Sequence, residues 1–287
     1  MKTTWGRFFR RIAATCAMGA AGSLAWSSAM CYAQTAFDSA TDPVYNVGWS
    51  AGQNAGTGFG PWNFDGSGAS AVHEIVPTGG GEPNGNQLDR AWGLGSTMGT
   101  EVSRAGRTIT GGLNAGQTIS TTIDTFSDPG FSGVFIVRLN AGGESICYGG
   151  VGCTTGGAVS ERLAVFQFDF GDIDIEIGDG DGDDNTGLDL TESDEGMRID
   201  ITINPGDMYD VTLTPFDGSP AFSQSGPLKA GGPIDYIEFL NFSNNVTNRS
   251  EFFISEISIV PEPSSAALLV GAGLGALSLV GRRRKEA

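Results

Sequence analysis

Between Gln34 and Val260 the chain shows no amphipathic helical pattern of any length. What recurs is a run of four to nine β-branched and aromatic residues, closed each time by Gly, Asn, Asp or Pro. Such runs bury one or both faces of short strands, and the punctuating residues turn the chain between them. No repeat of about 20 to 50 residues is visible, which disfavours a solenoid or a propeller. The forty-five glycines mark turns rather than a period. The pattern predicts one antiparallel all-β sandwich or barrel, and this stretch is long enough for a sizeable core.

In chain order, Phe37 to Phe64 is an opening segment in which Tyr45, Trp49, Phe59, Trp62 and Phe64 lie among glycines. Such rings can stack on sugars from exposed loops, or supply buried area to a loop-rich edge; burial is the favoured expectation. Ala71–Val76 reads as a strand. Arg107–Leu113 and Gln117–Asp124, joined by Asn114-Ala115-Gly116, read as a hairpin. Ser132–Asn140 is continuous enough to be buried on both faces. Arg162–Phe170 alternates, and Ile173, Ile175 and Ile177 then oppose Asp172, Asp174 and Glu176. Further strands are expected around Leu188 and Leu190, and over Arg198–Ile203, Met208–Thr214, Ile234–Phe242 and Phe252–Val260.

The two ends read as addresses. Lys2, Arg7, Arg10 and Arg11 precede the apolar stretch Ile12–Met30, and Cys31-Tyr32-Ala33 offers small residues for cleavage before Gln34. Residues 1–33 are therefore expected to be a signal peptide with a helical apolar centre, and 34–260 the exported body. At the other end Pro261-Glu262-Pro263 stops any strand, because proline lacks the donor a sheet needs. Ala266–Val280 is apolar and uncharged, and a basic cluster spans residues 282–285. Taken with its neutral flanks, 264–281 makes a marginal transmembrane helix. The basic cluster puts the extreme C-terminus in the cytoplasm and the body across the membrane.

This three-part tail, residues 261–287, resembles the PEP-CTERM sorting signal. The carriers are Pro261, Glu262 and Pro263, the apolar run, and Arg282, Arg283 and Arg284 with Lys285. The resemblance implies that an exosortase-type membrane enzyme is a partner, cutting near the motif and passing the protein to the cell surface or extracellular matrix. The body is similar to those of other PEP-CTERM proteins in four places: Tyr45–Trp49, Gly56–Trp62, Gly111–Thr118 and Ile234–Phe242. That likeness implies a jelly-roll-like, concanavalin-like antiparallel β-sandwich, and no chemistry.

Charge narrows the partners. Half of the sixteen basic residues, and only two of the thirty-three acidic ones, lie in the terminal signals. The body thus holds eight basic against thirty-one acidic residues, a formal charge of −23. Such a surface repels phosphate backbones, which sets nucleic acid aside and leaves cations, glycans and proteins. Cys147 and Cys153, the cysteines left after the signal peptide, are expected to form a disulfide in an oxidising compartment.

The sharpest candidate ligand site is Asp179, Asp181 and Asp183, oxygen donors at every second position, as calcium favours. An EF-hand starting at Asp179 fails, because its sixth position is Asp184 and its twelfth Leu190. The alternatives for the trio are a looser calcium loop and a solvated hairpin tip. Catalysis has little footing: the single histidine, His73, sits in a strand-like run, and no nucleophile elbow, zinc motif or phosphate loop is present. The expectation is a non-catalytic, exported surface or matrix protein associated with exopolysaccharide. A calcium-dependent carbohydrate-binding module is the first alternative, and a glycan-active hydrolase the second.

Overall fold

The computed structural model describes residues 36–67, 71–77, 90–96, 101–127, 133–143, 160–168, 174–188, 196–243 and 250–261. The signal peptide, the apolar run, Glu262, Pro263, Arg282, Arg283, Arg284, and Cys147 with Cys153 lie outside these residues.

Fifteen strands are described. They begin with β1 (Ala36–Ser39), β2 (Asn63–Ser67), β3 (Ala71–Pro77), β4 (Arg90–Ser96) and β5 (Glu101–Leu113). There follow β6 (Gln117–Ser127), β7 (Gly133–Ala141), β8 (Ser160–Phe168), β9 (Ile175–Gly178) and β10 (Asp183–Asn185). The last are β11 (Met197–Asn204), β12 (Met208–Pro215), β13 (Phe222–Pro227), β14 (Ile234–Ser243) and β15 (Ser250–Pro261). One sheet runs β13-β12-β11-β6-β15-β4-β3, with β1 also on β15; the other runs β10-β9-β8-β7-β14-β5-β2. Among the described residues there is no α-helix, only a 3-10 turn at Pro43–Val47.

The two sheets share one core. Phe135 of β7 and Phe252 of β15 meet at 5.7 Å, and Asn241 of β14 donates to the Leu94 carbonyl of β4 at 2.7 Å. The continuous apolar strand read at 132–140 is β7, buried at every position. The alternation read over Arg162–Phe170 is not seen as a buried and an exposed face, because β8 is buried from Arg162 through Gln167, whereas Ile175 and Ile177 are buried opposite half-buried Asp174 and Glu176. Five strands escaped the sequence reading: β1 and β2 near the glycine-rich opening segment, β4, the short β10 beside the acidic turn, and the polar edge strand β13.

The expected hairpin between β5 and β6 does not form. The turn itself is present: the Gln117 amide donates to the Asn114 carbonyl at 3.1 Å, and the Asn114 amide to Gln117 Oε1 at 2.7 Å. Gly111 and Gly112, however, take φ of 81° and 71°, values that only glycine adopts cheaply, and they bulge β5 against β14 before Leu113 pairs with Ile234. β5 pairs with β14 and β2 in one sheet, while β6 pairs with β11 in the other. The connection is an arch across the sandwich, so Ile109 and Ile119 enter the same core from opposite sheets.

The opening segment is fastened to the sandwich by a buried cation. Arg107 of β5 is fully buried and pairs with Asp38 of β1. It also donates to the Gly60 carbonyl at 2.7 Å and to Asn54 Oδ1 at 2.6 Å. Its guanidinium lies 4.7 Å from the Trp62 ring and 4.9 Å from Phe59. The Tyr45 hydroxyl donates to Asp38 at 2.7 Å and accepts from Trp62 Nε1 at 3.1 Å. A cation with carboxylate, carbonyl and ring partners together can be buried without a large unmatched desolvation cost.

Candidate functional site

The aromatic opening segment is not a sugar platform. Trp49 is 5 % exposed and Trp62 1 %, and their rings meet edge to face at 5.0 Å. Burying each ring contributes roughly 1.5–3 kcal/mol to the fold.

The acidic trio is not gathered either. Asp179 is buried, and its Oδ1 accepts the amides of Asp181 at 2.8 Å and Gly182 at 3.2 Å. Its Oδ2 accepts the Tyr209 hydroxyl at 2.6 Å. That leaves Asp179 shaping the turn between β9 and β10 and tying it to β12. Asp181 and Asp183 are exposed. Burial, and then the bond to Asp179, push the Tyr209 phenol above the ordinary tyrosine range. Among the described residues no group of three or more His, Cys, Asp or Glu side chains is close enough to hold a metal ion. The trio does not fit calcium's need for six to eight oxygens. His73 is half-buried, stacked on Phe64 at 4.2 Å, with Nε2 donating to the Arg104 carbonyl at 2.8 Å.

Two sizeable concavities are lined by described residues. An open cleft of about 610 Å³ lies beside the 3-10 turn, lined in part by Trp49, Glu74 and Arg90. Arg90 is occupied there, donating to Asn46 Oδ1 at 2.6 Å and the Tyr45 carbonyl at 2.9 Å.

The second, a recess of about 400 Å³, is built from three connections: the β5–β6 arch, the β11–β12 turn and the β13–β14 loop. Binding residues commonly sit on loops held by a rigid scaffold, and recesses of about 300–1,000 Å³ suit small ligands. Its walls are mixed, the buried Leu113, Ile203, Leu228 and Ile234 lying alongside Asn114, Asn204 and Asp207.

Its polar centre is Arg162 of β8, 2 % exposed, and Asp207 of the β11–β12 turn, whose side chain is 76 % exposed. Arg162 Nη2 lies 3.1 Å from Asp207 Oδ1, and Nη1 donates to the Gly232 carbonyl at 2.7 Å. The buried Nε of Arg162 has no hydrogen-bond partner among the described residues. Asp207 takes φ of 58°, a left-handed conformation that aspartate tolerates better than most side chains. The Asp207 carbonyl accepts the Leu228 amide at 2.7 Å, and the Arg162 carbonyl accepts the Lys229 amide at 2.9 Å. Lys229 in turn reaches Glu161 at 2.7 Å, and Glu161 pairs with Arg138 of β7 at 2.6 Å. The loop beside Arg162 is thus anchored to the sheet.

Neither Arg162 nor Asp207 stood out in the sequence as a site. Asn204-Pro205-Gly206-Asp207 announces a turn, and Arg162 announces only the start of a strand. Nothing local says that they meet.

No protein-family model matches the chain, and no curated protein matches it. Among solved structures it is similar to a legume lectin-like domain from Entamoeba histolytica, at 11 % identity and TM-score 0.47 over 69 % of this chain and 89 % of that one. Lectin II from Ulex europaeus is similar at 11 % identity and TM-score 0.44, over 74 % of this chain and 97 % of that one. The VIP36 exoplasmic/lumenal domain, in a Ca²⁺/Man3GlcNAc-bound form, is similar at 8 % identity and TM-score 0.44, over 70 % and 86 %.

Proposed function

We propose that this chain is an exported, exosortase-sorted surface or matrix protein whose β-sandwich body binds a glycan without catalysis. The observation that carries the binding part is the recess around Arg162 and Asp207. It has room for one sugar residue, apolar and polar lining side by side, and the Arg162–Asp207 pair to fix orientation. Export and sorting rest on the signal-like N-terminus and the three-part C-terminal tail.

The non-catalytic reading is supported by the lining of the two concavities. Asp207 is the carboxylate among the described residues lining the recess, and Glu74 the one lining the cleft. Glycoside hydrolysis ordinarily uses a pair. Asp179 being committed to Tyr209, the reading assigns no calcium to the acidic turn.

A glycan array probed with the purified protein, in calcium and in chelator, tests this. Saturable binding in both conditions is expected; the absence of any bound glycan would overturn the binding part. Mass spectrometry of protein recovered from its native cells tests the address. Loss of residues 1–33 and of the apolar tail is expected, and retention of either would overturn it.

A further inference from the structure

Resting on the glycan-binding reading, we infer that the recess selects a carboxylate-bearing sugar residue, whose carboxylate replaces that of Asp207 on the Arg162 guanidinium. A guanidinium carries five N–H donors in a fixed planar fork that matches a carboxylate edge to edge. On Arg162 one nitrogen is bound to the Gly232 carbonyl and another meets Asp207, while the buried Nε has no acceptor among the described residues. A buried donor without an acceptor is costly, and a ligand that fills it gains what the free protein lacks.

The present partner is easily displaced. Asp207 is 76 % exposed at its side chain, so releasing it returns a carboxylate to water without uncovering core. Its contact to Arg162 is a single 3.1 Å approach. Burial of the Arg162 side chain lowers the dielectric around it, which strengthens a charged hydrogen bond to an incoming carboxylate. The formal −23 of the body opposes approach of an anion at long range. Beyond about 8 Å that repulsion is screened at physiological salt, whereas the contact at Arg162 is not.

Methyl glucuronide and methyl glucoside, which differ in the carboxylate, are titrated by NMR into the full-length protein and into its Asp207→Asn variant. The glucuronide is expected to bind about tenfold tighter than the glucoside, with shifts at residues of the β11–β12 turn and the β13–β14 loop. Asp207→Asn, which removes the competing charge, is expected to tighten glucuronide binding several-fold and so to widen the preference for the glucuronide over the glucoside. Equal binding of the two sugars, or preference for the glucoside with loss in Asp207→Asn, would overturn this inference and leave the glycan-binding reading standing. Binding of neither sugar, together with a blank glycan array, would overturn both.

Discussion

Arg162 is almost wholly buried, yet the carboxylate 3.1 Å from it, Asp207, stands 76 % exposed. One end of this ion pair belongs to the sheet and the other to a turn. Replacing Asp207 with Ala is expected to destabilise the fold by roughly 1–2 kcal/mol in urea titration. That lies below the roughly 3–5 kcal/mol of a fully buried pair, because solvent already screens the aspartate side. Asp207→Asn keeps an acceptor beside the guanidinium and is expected to cost less than Asp207→Ala.

Asp38 and Arg107 are the opposite case, since both are buried. Asp38→Ala strands the cation and also removes the acceptor of Tyr45, so a loss of roughly 3–5 kcal/mol is expected. Removing both charges, as Asp38→Ala with Arg107→Met, is expected to cost less than Asp38→Ala alone. A double variant less stable than the single would show that Arg107 is held by its carbonyl and ring partners rather than by Asp38.

Gly56 has no room for a side chain. A Cβ there would lie 2.3 Å from the Phe37 carbonyl oxygen and 2.6 Å from Asp38 Cβ. Gly56→Ala must push the opening segment off β1, at a cost of roughly 1–3 kcal/mol. Ser50→Ala, at an exposed position of the same segment, is expected to change stability by less than about 0.5 kcal/mol. Thermal unfolding of the two variants separates them.

The phenols of Tyr45 and Tyr209 are both raised above the ordinary value of 10.0, each first by burial and then by a bond to a buried aspartate. Above pH 10 the unfolded chain loses these protons while the folded protein keeps them. The folded state then binds more protons, so stability falls as pH climbs from about 10 toward the folded values. In an ultraviolet titration, Tyr45 and Tyr209 are expected to remain protonated until the protein unfolds. Full ionisation of all tyrosines near pH 10 in folded protein would contradict both bonds.

The runs over 132–140, 198–203, 208–214, 234–242 and 252–260 were legible as strands because burial demands apolar residues at period two or continuously. The partners of those strands were not legible. The Asn114–Gln117 turn has the chemistry of a hairpin, and nothing in its residues says that β5 and β6 go to different sheets. Strand β13 escaped notice because its polar edge position asks for no apolar pattern. Burial of Trp49 and Trp62 was the favoured expectation, but Arg107, which lies over the Trp62 ring, is far along the chain. The recess was invisible for the same reason, as its three connections meet only once the sheets are stacked. The acidic trio misled because spacing counts donors and cannot show that Asp179 turns inward to Tyr209.

The most direct test blocks the recess without touching its charges. Ala115, exposed on the β5–β6 arch, lines it, and Ala115→Trp puts a bulky ring at its mouth. Wild-type protein and Ala115→Trp are compared on the same glycan by calorimetry, with thermal stability measured alongside. The account predicts saturable binding by the wild type, its loss in Ala115→Trp, and the same unfolding temperature for both. Equal binding by the two proteins would place the glycan elsewhere and contradict the assignment of this recess.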